Sequence, residues 1–390
     1  MKFSCRENDL TVKNLSKRLK DFSYIINSDN GLVYFVTDYS LIESLIKQMK
    51  YLIKLRLYII GCSNTQIDGR RLEKNLFDHL PKLEQFHFFF QTYGGKELKT
   101  MNEFIRFQWN FGSYTNQLTD MHFLFTLPFQ FQCLDECVNE YFLKGIRTTL
   151  KIPLNSSLEF GFNSIKHLDL SCSINENLLN LLRENFLNLE SIRFSSMTAE
   201  YRCPPSLARQ SRFLIKSIRT IIFDQSCLNQ SPFIRLLPNL NQLIINQKLL
   251  NIIFEQTGDG YLYHIKYLHL YSFQRHYLEQ MINAFPNLIR LILKTTITDD
   301  EGPIRSYLEG RCHHKHLPVS VGDILHDLLK NPLAKFKEIQ VGCYFERDEQ
   351  YLHAILSRII RKHRGEHQQF HIHSEDFNST RCGLTKIFFF

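Results

Sequence analysis

Apolar residues recur along this chain in two alternating rhythms. One short phrase is written four times: "LPKLEQFHFF" from Leu80, "FLNLESIRFS" from Phe186, "LPNLNQLIIN" from Leu237 and "FPNLIRLILK" from Phe285. Aligned on Leu83, Leu189, Leu240 and Leu288, the copies place an apolar residue at positions 1, 4 and 6 of L-x-x-L-x-L. Side chains of a strand alternate between its faces, so positions 4 and 6 share one face and positions 3, 5 and 7 point the other way. The pattern matches at Leu52/Leu55/Leu57, Leu83/Phe86/Phe88, Leu118/Met121/Phe123, Ile165/Leu168/Leu170, Leu189/Ile192/Phe194, Ile218/Ile221/Phe223, Leu240/Leu243/Ile245, Ile265/Leu268/Leu270, Leu288/Leu291/Leu293 and Phe336/Ile339/Val341. From Ile165 the steps are 24, 29, 22, 25 and 23 residues, within the range of stacked structural repeats.

Between these strands the apolar period moves toward 3.6. In "INENLLNLLRENF", Ile174, Leu178, Leu181, Leu182 and Phe186 share one side of a helix, and Leu278, Met281, Ile282 and Phe285 do so in "HYLEQMINAF". Pro238 and Pro286 follow such segments, where a residue without an N–H ends a helix sharply. Each unit reads as strand, return helix and turn. A single unit cannot bury both faces of its apolar stripe, so neighbours must stack. The expected fold class is α/β: a leucine-rich-repeat solenoid, with a curved parallel sheet on the concave face and helices on the convex face.

The chain resembles the leucine-rich-repeat superfamily over roughly residues 50 to 345. Within it, "LILKTTITDDEG" at 291–302 and "LDLSCSINENLLNLL" at 168–182 resemble the repeat region of F-box proteins. Those proteins are the substrate-recognition subunits of cullin-type ubiquitin ligases. The resemblance implies a non-catalytic protein-binding module, with substrate recognition for a ligase as its specific form. Residues 1–50 contain no Leu-Pro pair of the kind that opens an F-box. The chain is therefore read as a repeat-only relative, or as one whose N-terminal module lies outside it. A Skp1-type adaptor is expected as a partner only if an F-box is present, and a scaffold or inhibitor without a ligase is the alternative.

The rhythm divides the chain into a flanking cap over 1–50, the array over 51–345 and a second cap over 346–390. Two steps are long. One of 47 residues between Leu118 and Ile165 leaves room for a degenerate strand near Leu150 and Ile152; one of 48 between Leu288 and Phe336 reads as an insertion near 299–333. The terminal "KIFFF" is expected as a last edge strand, since exposed it would invite aggregation.

Composition fits a folded protein: 44% hydrophobic and 22% charged among 390 residues, with 33 Phe. The formal charge of +8, from 47 Lys and Arg against 39 Asp and Glu, is scattered without blocks, which argues against a nucleic-acid footprint. "MKFSCRENDL" lacks the apolar core of a secretory signal, and no stretch approaches the roughly 18 apolar residues of a membrane span. The expected location is cytoplasmic, with the nucleus as the alternative, and no membrane partner is expected. Ten dispersed cysteines suit reduced thiols.

Candidate chemistry is sparse. Cys312, His313, His314 and His316 form one group of potential ligands, and His363, His367, His371 and His373 another. Neither supplies two separated pairs at zinc spacing. Cys133 and Cys137 would share one face of a helix, but no second pair follows. Phosphate-loop, dinucleotide, zinc-protease and nucleophile-elbow motifs are absent. No catalytic residue, metal or cofactor is therefore expected. The sharper candidates are the outward positions 3, 5 and 7: Gln242, Ile244 and Asn246; Tyr267, His269 and Tyr271; Arg290, Ile292 and Lys294. In parallel strands these form one contiguous patch for an unidentified protein partner. Lys54, Arg56 and Tyr58 form a second, facing Gln85, His87 and Phe89 in the next unit.

Overall fold

The computed structural model describes residues 19–26, 39–62, 72–74, 76–93, 110–116, 121–135, 138–139, 141–148, 162–170, 172–194, 203–223, 228–246, 249–253, 262–271, 281, 283–294, 337–344, 357, 360–361, 370–377 and 382–389. These residues build a mixed α/β protein whose strands lie in two sheets and run mostly parallel. The chain divides into two units, Met1–Leu170 with Asn180–Leu189, and Ser171–Leu179 with Glu190–Phe390. Among the described residues, no helix is long and apolar enough to cross a membrane.

The first unit contains β1 (Asp21–Ile26), β2 (Lys54–Cys62), β3 (Gln85–Tyr93), β4 (Asn110–Asn116), β5 (Met121–Leu127), β6 (Cys133–Leu134), β7 (Arg147–Thr148) and β8 (His167–Leu170). Strands β2 and β3 are parallel, as the matches at Leu52 and Leu83 predict, and β1, which no copy of the phrase marks, pairs parallel to β2. The match at Leu118/Met121/Phe123 departs from that order. Met121 and Phe123 lie in β5, which runs antiparallel to both β3 and β4, while Leu118 lies outside the described residues. L-x-x-L-x-L encodes which face a side chain takes, and an antiparallel strand satisfies the same parity.

Phenylalanine fills both faces of the six-stranded sheet ordered β1-β2-β3-β5-β4-β7. On one, Phe86, Phe88, Phe90 and Phe111 pack with Leu55, Leu57 and Ile59 and with Tyr39, Ile42 and Ile46 of the Tyr39–Ile46 helix. On the other, Phe89 stacks on Tyr58 at 4.6 Å between ring centroids, and Phe125, Phe129 and Phe162 continue the aromatic layer. Gly112 sits directly opposite Phe125, and a Cβ there would come within 2.5 Å of the ring, so the glycine makes room for the aromatic. Within the segment read as a flanking cap, β1 and the Tyr39–Ile46 helix supply Phe22, Tyr24 and Ile42 to the core.

The second unit contains β9 (Ser191–Phe194), β10 (Thr220–Phe223), β11 (Gln242–Asn246), β12 (Tyr267–Tyr271), β13 (Arg290–Lys294), β14 (Glu338–Tyr344), β15 (Phe370–Phe377) and β16 (Cys382–Phe389). Strands β9 to β14 are neighbours in chain order, all parallel. One face carries Ile192, Ile221, Leu243, Leu268, Leu291 and Ile339 in register, every one of them buried. β16 turns antiparallel onto β14, and β15 pairs with its far side. Lys386 to Phe389 of the terminal "KIFFF" therefore lie in a strand, but β15 covers the edge they were expected to occupy.

The helical readings hold where they are described. Helix Glu176–Asn185 starts with Asn175 Oδ1 accepting the Leu178 N–H at 2.9 Å, which satisfies one of the orphan donors of the first turn. Ile174, Leu178, Leu181, Leu182 and Phe186 are all buried, as their spacing predicts. Before β11 the return segment is instead a 3-10 helix, Leu228–Leu236, with Pro232 inside it. Proline cannot donate the N–H that a regular α-helix needs there. Of "HYLEQMINAF", Met281 and Phe285 are buried, and Leu278 lies outside the described residues.

The phrase itself is a repeated joint. Leu240 N–H donates to Leu237 O, Leu288 to Phe285, Leu189 to Phe186 and Leu83 to Leu80, closing four turns of one kind. Proline at the second place of such a turn presets its backbone, which accounts for Pro81, Pro238 and Pro286. In three of the four an asparagine at the third place, where the first joint has Lys82, clips the joint to the one before: Asn188 Nδ2 donates to Asn163 O at 2.8 Å, Asn239 to Lys216 O at 2.8 Å and Asn287 to Tyr263 O at 2.7 Å. These bonds are exposed, so the freed carbonyl can bond water instead. Asn239→Ala and Asn287→Ala should each cost about 0.5–1 kcal/mol by urea denaturation, and the double variant should cost their sum. A cost below ~0.2 kcal/mol for both would remove the clips from any account of stability.

Candidate interaction face

The nine outward residues of the second unit fall into register as expected. Gln242 pairs with Tyr267 and Tyr267 with Arg290; Ile244 with His269 and His269 with Ile292; Asn246 with Tyr271 and Tyr271 with Lys294. Neighbouring strands extend two of the rows. Ser191, Thr220 and Glu338 join the first, and Arg193 and Ile222 the second. All five extra residues follow from the pattern, since the matches beginning at Leu189, Ile218 and Phe336 give Ser191, Arg193, Thr220, Ile222 and Glu338 as positions 3 and 5.

The two rows differ in chemistry. The first is polar: Thr220 Oγ1 donates to Gln242 Oε1 at 3.2 Å, and Arg290 Nε lies 3.0 Å from Glu338 Oε2 on the next strand. Tyr267, 37% exposed, stands in the middle of it. The second row sets half-buried Ile222, Ile244 and Ile292 around His269. Side chains here touch across strands under 5 Å apart, so they lose part of their surface to one another while the face itself stays open. The Arg290 charge is already balanced by Glu338, which lowers its value as a free anchor for an acidic group.

Asn246 does not belong to the open face. It is 4% exposed, and its Oδ1 accepts the Leu249 N–H at 2.7 Å, capping the helical turn that follows β11. The strand ends there, and the alternation that would have turned Asn246 outward ends with it. Tyr271 and Lys294 keep register positions at the ends of β12 and β13.

In the first unit the expected patch is half covered. Lys54 is half-buried and Arg56 exposed, in register with Gln85 and His87. Tyr58 and Phe89 are buried instead, because the segment carrying Phe129 and Phe131 lies over them. The Tyr58 hydroxyl donates to Asp135 Oδ2 at 2.9 Å and accepts the Asp135 N–H at 3.1 Å. Burial, with the Arg56 charge as a second cause, lowers the pKa of His87, which keeps its imidazole neutral near pH 7. Lys54 and Arg56 are thus the open remnant of that patch.

Other candidate chemistry is limited. Cys312, His313, His314, His316, His363 and His367 lie outside the described residues, as do Cys137, Leu150 and Ile152. His371 and His373 lie in β15, paired with β16. Cys133 is in the short strand β6 rather than on a helix. Among the described residues no three His, Cys, Asp or Glu side chains gather as a metal site. Cys203 is buried, and burial pushes its thiol up to about 12, so it is a poor nucleophile at neutral pH. No protein-family model matches the chain, and no curated protein matches its sequence.

Proposed function

We propose that the chain is a leucine-rich-repeat solenoid acting as a non-catalytic protein-binding module, and that β10 to β13 present the partner-binding face. The observation that carries this reading is the pairing of two rows in one register: a polar row around Tyr267 beside an apolar row of Ile222, Ile244 and Ile292. Three half-buried isoleucines on the open side of a sheet contribute little to that sheet's own core. They are suited to apolar side chains brought by a partner, with Tyr267 as the kind of anchor that dominates interfaces.

The ligase form of this role rests on the F-box-like style of the repeats. A scaffold or inhibitor role gains support from Asp21–Ile26 and Tyr39–Ile46, which supply a sheet strand and a core helix. Co-purification with a Skp1-type adaptor separates the two.

The face itself is tested by proximity crosslinking in native extract, with recovered proteins counted for wild type and variants. Tyr267→Ala and Ile244→Glu are each expected to lower recovery of the principal partner about 30-fold, in line with loss of an interface anchor. Asn163→Asp, on an exposed turn of the first unit, is expected to leave it unchanged. Equal recovery from all four proteins would rule this face out.

A further inference from the structure

Beside the polar row runs a line of cations. Arg219, Asn241, Lys266, Ile289 and Lys337 immediately precede β10, β11, β12, β13 and β14, and a chain of backbone bonds ties them into one edge: Asn241 N–H to Arg219 O, Lys266 to Asn241, Ile289 to Lys266 and Lys337 to Ile289. Arg219, Lys266 and Lys337 are exposed, and they occupy alternate strands. Strands are about 4.8 Å apart, so the cations repeat every ~9.6 Å along this edge. Among the described residues from 190 to 340 the acids are Glu190, which precedes β9 at the end of this same edge and whose carbonyl accepts the Arg219 N–H, and Glu338, which is paired with Arg290. Tyr263, 59% exposed, and Tyr267 flank Lys266.

We propose that this edge binds an acidic peptide segment in the polyproline II conformation, with Asp or Glu at every third residue. That helix has three residues per turn and rises about 3.1 Å per residue, so every third side chain returns to one face after ~9.3 Å. The match to the cation spacing is within the scatter of strand separation. An extended strand fails this test, because residues three apart point to opposite sides. Exposed tyrosines are the usual platform for such helices, and Tyr263 and Tyr267 stand three residues before and one residue after Lys266 in the chain. A single-stranded nucleic acid fits less well. It needs aromatic platforms in succession, whereas Tyr263 and Tyr267, the exposed tyrosines among the described residues of the second unit, belong to one repeat. The inference rests on the protein-binding reading above and specifies the partner's chemistry.

The test uses the full chain and three fluorescent probes in anisotropy titrations at low salt: the peptide (Glu-Leu-Pro)₄, its composition-matched rearrangement (Glu-Glu-Leu-Leu-Pro-Pro)₂, and a twelve-residue oligouridylate. Expected is binding of the first peptide about tenfold tighter than the second. The triple variant Arg219→Glu, Lys266→Glu, Lys337→Glu should lose about 100-fold for the first peptide, as exposed charge pairs summed over three sites suggest. A single Lys266→Gln variant, which leaves the backbone joints untouched, should lose about fivefold. Equal affinity for the two peptides, no binding of either, or loss unaffected by the triple variant overturns the proposal. Displacement of the peptide by the oligouridylate at equal concentration overturns it in favour of nucleic acid. If partner recovery still depends on Ile244 while the peptide result fails, the cation edge is wrong and the protein-binding face stands.

Discussion

Phe88→Ala is expected to destabilise the first unit by about 3–5 kcal/mol, the cost of a large cavity in a core that cannot close around it. Phe88 is 0% exposed, and its ring lies 4.7 Å from Phe90, 5.0 Å from Phe86 and 5.4 Å from Phe111. Aromatic neighbours have few rotamers with which to refill the space, which places the cost at the upper end of the range. Its own N–H donates to the buried Thr126 hydroxyl at 3.1 Å, so β3 is also pinned to β5 at this point. Phe88→Leu, closer in volume, should cost about 1–1.5 kcal/mol. The readout is the urea midpoint, with the slope compared between variants. A loss under ~1 kcal/mol for the alanine would show that this aromatic layer is not the packed core described here.

The repeated phrase was legible because it encodes a local event: a turn closed by one hydrogen bond, then two inward side chains of a strand. Leu240, Leu243 and Ile245 behave as that reading requires, as do their equivalents at β9, β12 and β13, and the inward residues Ile221 and Phe223 of β10 are buried likewise. What the phrase cannot encode is direction or cover. Met121 and Phe123 fit it and lie in an antiparallel strand, since parity is the same either way. Tyr58 is at an outward position of β2, yet is buried by Phe131 and bonded to Asp135, which lie far along the chain. The asparagine of the phrase was visible as a recurring letter at 188, 239 and 287, but its role needs the preceding turn in place, because it bonds a carbonyl more than twenty residues upstream. The candidate face was read in the same way: its rows follow from spacing, whereas the Arg290 to Glu338 pair and the capping role of Asn246 depend on which groups meet in space.

Adjacent residues of β12 should therefore respond in opposite ways. Leu268 is 1% exposed and in register with buried Leu243 and Leu291; Leu268→Ala is expected to cost about 2–5 kcal/mol of stability. Tyr267, one residue earlier and on the other face, should cost less than ~0.5 kcal/mol as Tyr267→Ala, because what it loses is contact with solvent-facing neighbours. Partner recovery should reverse the order, falling about 30-fold for Tyr267→Ala and staying near wild type for Leu268→Ala at temperatures where that variant is folded. Urea denaturation and crosslinking on the same preparations give both readouts. The contrast isolates function from folding within a single strand, because one variant removes a wall of the core and the other removes a side chain the core does not need. A Tyr267→Ala protein as unstable as Leu268→Ala would mean that the face is covered and unavailable to any partner.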